Sequence, residues 1–482
     1  MTLNAAQVLL ANHDPQRLAL VCGAEQLTYG ELRDRVAHCA SAWQRRGLVP
    51  GDRVAIKLPD GSDSVCAFLG AIWAGGVAVM INPRLPRAEW QVMLDTSDFR
   101  SVLTEVRDDT PPAFADRTVL LADWQRAAAA AATVPPVLMG EDEPAFWTCS
   151  SGTTGAPKSI QHAQRSALHV ARASAQRLGI RADDRLYASS KLFFCYPLAN
   201  SLMAGLKLGA TVILDPEWPT AQSVLETIAA HSPTVFFSVP SLYRDLLRDG
   251  LAPQLVQHGV RLCVSAGEAL PATLRDAWRE QTGLLIADGY GASETLALVL
   301  IDTEGVGDLS PSPGVRIDTA TGEAPTRIVI RAPTLALGYW RRPEAQAEAF
   351  RDGGFCPSDL FVRGTAASWR FAGREDALVK LRGRWVSLVE LEERLAACPG
   401  VTESAAVVVP DDDGVDAIVL FYVPPSGAAP INGESLRALT DSWPHHQRPH
   451  AIHAVASLPR TATGKLMRRS LVALHRGSGV TP

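Results

Sequence analysis

Short apolar runs alternate with amphipathic helical patterns along most of this chain, and that alternation restricts its fold more than any other feature. Leu27-Thr-Tyr-Gly-Glu-Leu32 leads into a helical pattern ending near Arg46; Asp52 to Lys57 then reads as a strand and Ser64 to Ala74 as a helix. The order recurs with a strand over Thr211 to Leu214, a helix over Ala221 to His231, a strand over Thr234 to Phe237 and a helix over Leu242 to Leu247. Such alternation predicts an α/β fold of mostly parallel, helix-covered sheets, with ligands held beyond the carboxyl ends of the strands. The alanine run 127–132 and the acidic Glu141-Asp-Glu143 read as a helix end and a connector.

One segment stands out chemically: Trp147-Thr-Cys-Ser-Ser-Gly-Thr-Thr-Gly-Ala-Pro-Lys-Ser159. Gly152 and Gly155 allow backbone N–H groups to turn toward phosphate oxygens, Ser150, Ser151, Thr153 and Thr154 add hydroxyl donors, and Lys158 adds a positive charge. It is not a Walker A loop, because Pro157 stands where that pattern needs Gly directly before Lys. The preceding Ala145-Phe-Trp147 reads as a strand end. The same residue types also make ordinary surface turns, so further motifs have to carry the assignment.

At 482 residues and 47% apolar the chain is long enough for more than one domain with a substantial core. Its net charge of −5 argues against general nucleic-acid binding, and no run approaches the roughly 20 apolar residues that span a bilayer. Neither a signal-peptide nor a transit pattern opens the sequence, so a cytoplasmic location is the expectation. Cysteines at 22, 39, 66, 149, 195, 263, 356 and 398 form no Cys-x-x-Cys pair, which predicts reduced, buried residues rather than a disulfide scaffold or zinc site. Cys149 and Cys195 are the two placed where a nucleophile could act.

After about Gly373 to Asp376 the pattern changes to a small α+β arrangement: a helix over Val389 to Ala397 and strands over Ser404 to Val409 and Ala417 to Val423. Two domains are therefore expected, a large one over 1–374 and a small mobile lid over 375–482. From Arg437 onward seven Lys/Arg stand against one Asp, which suits a phosphate-bearing partner as well as plain solvated charge.

Together with the Ser/Thr/Gly loop, four further motifs in fixed order resemble the adenylate-forming superfamily of acyl-CoA ligases, luciferases and peptide-synthetase adenylation domains. They are Gly289-Tyr-Gly-Ala-Ser-Glu294; Ser358-Asp359; Gly373-Arg-Glu-Asp376 followed by Lys380-Leu-Arg-Gly-Arg-Trp385; and Pro459-Arg-Thr-Ala-Thr-Gly-Lys465. The resemblance spans nearly the whole chain. It implies ATP, Mg²⁺ and CoA as cofactors and substrates, with a carrier-protein phosphopantetheine as the alternative acceptor. Lys465 is then the catalytic lysine beside the carboxylate and α-phosphate, Glu294 the Mg²⁺ ligand and Ser293 a phosphate donor. Tyr290 stacks on adenine, with Gly267, Glu268, Asp288, Gly289 and Gly291 around it. Asp359 takes the ribose hydroxyls with Arg374 as its partner, a structural ion pair being the alternative. Asp376 marks the interdomain hinge, and Lys380, Gly383 and Trp385 belong to the loop passing the pantetheine arm.

A narrower resemblance, to benzoate-type aryl-CoA ligases, rests on Lys191-Leu-Phe-Phe-Cys-Tyr-Pro-Leu-Ala-Asn200, Phe237-Ser-Val-Pro-Ser-Leu-Tyr243 and Val264-Ser-Ala-Gly-Glu-Ala-Leu270. It implies a small aromatic carboxylic acid as substrate, in a flat slot lined by Phe194, Tyr196 and Val239 with Cys195, Asn200 and Ala266 setting its depth. Core positions use the same residue types. The chain departs from the family at Ser159 and Ser358, where Gly is usual, at Pro197, where benzoate ligases favour Gly, and at Leu388, which replaces a usual Pro. Pro197 is expected to reshape the acid slot. Other readings carried forward are an adenylating enzyme that loads a carrier protein and an inactive nucleotide-binding scaffold; a homodimer is left open, and no nucleic-acid or membrane partner is expected.

Overall fold

A computed structural model describes residues 1–106, 110–150, 158–319, 325–365, 367–375, 378–381, 384–410, 415–425, 427–460 and 466–477. The chain separates into two compact units. The first comprises Met1–Thr319, Val329–Cys356 and Arg363–Arg370; the second comprises Ala320–Ile328, Pro357–Val362 and Phe371–Pro482. The second unit thus takes two segments from before residue 374 in addition to the C-terminal run.

Two sheets organise the first unit. Among the described residues one has seven strands, in the spatial order Gly338–Tyr339, Lys158–Ala163, Pro144–Ser150, Val77–Met80, Arg53–Lys57, Phe99–Thr104, Thr118–Leu120. The other has nine: Ser310–Pro311, Leu300–Asp302, Ile286–Tyr290, Leu262–Ala266, Val235–Ser238, Arg185–Ala188, Thr211–Leu214, Leu18–Cys22, Glu25–Thr28. Six consecutive strands of the larger sheet, from Ile286–Tyr290 to Leu18–Cys22, run parallel. Val235-Phe-Phe-Ser238 is buried throughout, as a strand covered on both faces must be.

Helices fill the space between the sheets. The helix Tyr29–Arg45 begins on Thr28, whose hydroxyl accepts the Glu31 N–H at 3.2 Å while the Glu31 carboxylate accepts the Thr28 N–H at 2.8 Å. This reciprocal cap is worth about 1 kcal/mol. Its inner face buries Leu32, Val36, Cys39 and Trp43, and the Trp43 ring lies 4.0 Å from Trp124. Val54, Ile56 and Phe146 of the smaller sheet and Leu20, Val212 and Leu214 of the larger share this one core, which therefore locks the two sheets together.

The second unit has its own core. Strands Glu403–Pro410 and Asp416–Val423 pair antiparallel, and Ala451–Ala454 adds parallel to the latter. The helix Leu388–Ala396, capped by Ser387, packs Leu388, Leu391 and Leu395 onto Ile418, Leu420 and Tyr422; Leu471 of the helix Arg468–Gly477 covers the other face. Leu388, which stands where the resemblance leads one to expect Pro, is thus a buried core residue of this unit.

Candidate functional site

The site is laid out by the carboxyl ends of adjacent parallel strands. Tyr290, Ala266, Ser238, Ala188, Leu214 and Cys22 end successive strands of the larger sheet, and Ser293, Gly267, Val239, Lys191 and Asp215 follow the first five within a few residues. Residues scattered over some two hundred and seventy positions of sequence thereby share one edge, the carboxyl edge of a parallel sheet, where folds of this kind hold ligands.

Lys158 opens the strand Lys158–Ala163 directly opposite Ser150, so the two ends of the Ser/Thr/Gly loop are pinned by antiparallel pairing. The loop residues Ser151, Gly152, Thr153, Thr154 and Gly155 lie outside the described residues. The next strand in that sheet brings in Tyr339, which pairs with Ile160. The Tyr339 hydroxyl donates to Glu294 Oε1 at 2.6 Å, and the Lys158 ammonium sits 5.1 Å from the centre of the Tyr339 ring. Burial first, then the Glu294 carboxylate, push the Tyr339 phenol above its ordinary value, so it remains a donor. One cation, one phenol and one carboxylate are gathered where a polyphosphate and a divalent ion could be met.

Behind this cluster lies His162, wholly buried, stacked on Phe146 at 4.9 Å and 3.0 Å from the Thr148 hydroxyl. Burial lowers its pKa to about 3, so it stays neutral. Neither Tyr339 nor His162 is among the motif residues. Tyr339 lies 45 positions beyond Glu294 and reaches it only through strand pairing, which no spacing rule reveals.

The segment after Tyr290 turns sharply. The Thr295 hydroxyl accepts the Ala292 N–H at 2.9 Å, Leu296 has a positive φ of 63°, and Thr334 donates to the Thr295 carbonyl at 2.7 Å. Gly289 and Gly291 sit at close approaches: a Cβ on Gly289 would stand 2.6 Å from Leu298 Cδ1, and one on Gly291 would stand 3.1 Å from the Ala297 carbonyl. Ser293 and Glu294 are half-buried within the turn, Tyr290 is half-buried at the strand end, and Gly267 and Glu268 are exposed, Gly267 with φ +89°. Asp288 faces Asp302 across the strand pair; burial and then that neighbouring carboxylate raise its pKa to about 7.

The segment expected to line the acid slot is pinned by side chains. The Tyr196 hydroxyl donates to the Val264 carbonyl at 3.0 Å, and Asn200 donates to the Tyr196 carbonyl at 2.9 Å while accepting the Leu298 N–H at 3.4 Å. Their polar atoms are thereby engaged with backbone. Phe194 packs on Phe193 at 4.3 Å, Val239 is half-buried before the helix Pro240–Arg248, and Ala266 is buried. Cys195 lies 3.8 Å from the Ser293 carbonyl and 3.5 Å from that of Leu296, so this segment touches the Ser293–Glu294 turn directly. Burial pushes the Cys149 thiol up to about 12 and Cys195 higher still, which argues against either as a nucleophile. Pro197 sits in the first turn of a helical stretch from Cys195, where its missing N–H costs little.

In the second unit, Asp359 Oδ1 and Arg374 Nη1 are 4.0 Å apart at the start and end of neighbouring strands, and the Glu375 N–H donates to the Ser358 carbonyl at 2.7 Å. Lys380 pairs with Trp385 across the hairpin formed by Leu378–Leu381 and Arg384–Ser387. Asp376, Gly383 and Lys465 lie outside the described residues.

Two family models match most of the chain. A family described as "AMP-binding enzyme" matches residues 9–340, and "AMP-binding enzyme C-terminal domain" matches 390–465. The chain is 35% identical to a 3-hydroxybenzoate–CoA/4-hydroxybenzoate–CoA ligase of Thauera aromatica, covering 98% of this chain and 97% of the relative. It is 36% identical to a 3-hydroxybenzoate–CoA ligase of Aromatoleum sp. (strain CIB), covering 97% and 96%. Among solved structures, the anthranilate CoA ligase AuaEII in complex with anthranoyl-AMP superimposes with a TM-score of 0.90 at 28% identity, over 98% of this chain and 97% of that one.

Proposed function

The chain belongs to the AMP-binding enzyme family, and from that premise we propose that it activates a benzoate-like carboxylic acid with ATP and passes the acyl group to the thiol of CoA. It is an AMP-forming acid–thiol ligase. A carboxylate repels nucleophiles and has no leaving group, so its oxygen first attacks the α-phosphorus of ATP and expels pyrophosphate. The CoA sulfur then attacks the carbonyl of the acyl-AMP and expels AMP. The observation that carries this reading is the contact of Cys195 with the Ser293 and Leu296 carbonyls, which sets the acid-slot segment against the turn bearing Glu294.

Lys158 and Ser293 supply positive charge and a donor hydroxyl to phosphate oxygens, and Tyr339 holds the Glu294 carboxylate in place. Among the described residues no group of three or more His, Cys, Asp or Glu gathers. Glu294, a single hard-oxygen donor bonded to Tyr339, over whose ring Lys158 lies, fits Mg²⁺, which takes one or two carboxylates together with substrate phosphates. Mg²⁺ would neutralise phosphate charge as pyrophosphate departs. Asp359 and Arg374 would hold the ribose, and Lys465 would approach the carboxylate and α-phosphate. Residues 375–482 would act as a lid hinged at Asp376, with Lys380, Gly383 and Trp385 bordering the pantetheine arm in the second step. No helix among the described residues is long and apolar enough to cross a membrane. We place the enzyme in the cytoplasm, where ATP and CoA are available.

Pyrophosphate release with ATP and Mg²⁺ across benzoates, hydroxy- and aminobenzoates, cinnamates and fatty acids, with and without CoA, tests the reading. An aryl acid converted to acyl-CoA supports it. Acyl-AMP that accumulates despite CoA redirects the acceptor to a carrier-protein phosphopantetheine, and silence across the panel leaves a nucleotide-binding scaffold.

A further inference from the structure

A buried polar cluster outside the motifs lies at the head of the acid-slot segment. Asp60, 8% exposed and carried on the turn after the strand Arg53–Lys57, directs both carboxylate oxygens at one backbone group, the N–H of Leu192, at 3.1 and 3.0 Å. The adjacent Lys191, 5% exposed, donates to the Asp215 carbonyl at 2.6 Å. Asp215 Oδ2 in turn accepts the hydroxyls of Tyr187 at 3.2 Å and Thr227 at 3.0 Å. Burial drives the Asp60 acid up to about 7, while Lys191 pulls it back. Burial likewise lowers Lys191, which Asp60 and Asp215 support.

Such an arrangement is costly unless it does something for the fold or the site, since a buried carboxylate and ammonium must each be compensated. Its geometry singles out one stretch of backbone. Asp60 belongs to the smaller sheet's side of the core and Lys191 follows a strand of the larger sheet, so together they clamp the chain where it leaves the sheet and turns into Phe193-Phe194-Cys195-Tyr196. The Phe194 N–H closes this turn onto the Lys191 carbonyl at 2.9 Å. No group of the cluster belongs to the nucleotide side.

We propose that Asp60 and Lys191 are positioning residues for the aryl acid: they hold the start of the 191–200 segment so that Phe194, Cys195 and Tyr196 present a slot of fixed depth. The inference rests on the aryl-acid reading above. Lys191, the one cation in the segment, is then committed to the scaffold and does not serve as a counter-ion for a second carboxylate on the substrate.

Steady-state kinetics on purified full-length Asp60→Ala, Asp60→Asn and Lys191→Met, with KM measured separately for the acid and for ATP, test this. Removing the acceptor in Asp60→Ala leaves the Leu192 N–H unpaired; we expect the acid KM to rise about tenfold and preference among ring-substituted benzoates to flatten, with the ATP KM within about twofold. Asp60→Asn keeps an acceptor oxygen and should recover most of the acid KM, whereas Lys191→Met should behave like Asp60→Ala. If Asp60→Ala does not fold, Lys191→Met against Asp60→Asn gives the same discrimination. Acid and ATP KM values rising together, or an unchanged acid preference in folded Lys191→Met, would overturn the proposal. Wild-type enzyme silent toward every aryl acid would instead overturn the functional reading beneath it.

Discussion

The residues proposed for the nucleotide and those proposed for the acid lie against each other but are set by different means. Lys158, Tyr339 and Glu294 are brought together by strand pairing and by the tight turn after Tyr290, where Gly289 and Gly291 sit at close approaches. Phe194, Cys195 and Tyr196 are set instead by side-chain bonds, from Asp60, Asn200 and the Tyr196 hydroxyl itself. Backbone pairing is shared along the sheet and depends little on any one side chain. Side-chain pins can be changed singly, so substitutions on the two sides should have separable effects.

Removing the carboxylate charge in Glu294→Gln should break the nucleotide side most severely. We expect the rate of pyrophosphate release to fall by about 10²–10³ and by the same factor for every acid accepted. The acid side should respond differently: Asn200→Ala removes both ends of a buried bridge, and the acid KM should rise about tenfold while the ATP KM stays within about twofold in the same assay. Tyr339→Phe deletes one hydrogen bond to a carboxylate with little change in shape, and a loss of about tenfold or less in kcat, uniform over acids, is expected from steady-state rates. A change in acid preference in either Glu294→Gln or Tyr339→Phe would blur the distinction.

His162 should affect stability more than rate. Its folded pKa lies near 3 against an ordinary 6.5, so below 6.5 the unfolded chain takes up a proton that the folded chain refuses. The stabilisation is complete above about pH 6.5 and declines as pH falls toward 3. Thermal melts from pH 7 to pH 4 should show a falling Tm that flattens in His162→Phe, a variant that keeps the stack on Phe146. An acid limb identical in the two proteins would contradict the assignment.

Much of the large unit could be read from the sequence because its elements follow simple periodicities. The helix expected through Arg46 runs Tyr29–Arg45, and the strand expected over 211–214 runs Thr211–Leu214. The motifs that carry the family resemblance were legible because glycines and charged residues at fixed spacing stand out in local sequence. Tyr339, His162 and Asp60 were not, since each gains its meaning from a partner on a distant strand or turn. Nor could spacing show that Ala320–Ile328 and Pro357–Val362 join the C-terminal unit, because such strands look alike until they are paired.

The most direct measurement is one matrix: acid-dependent pyrophosphate release by wild type, Glu294→Gln and Asn200→Ala against unsubstituted, hydroxy- and aminobenzoates. The account predicts that Glu294→Gln scales the wild-type row down by a single factor, whereas Asn200→Ala changes the order of the acids. A reordered Glu294→Gln row with a uniformly scaled Asn200→Ala row would contradict it.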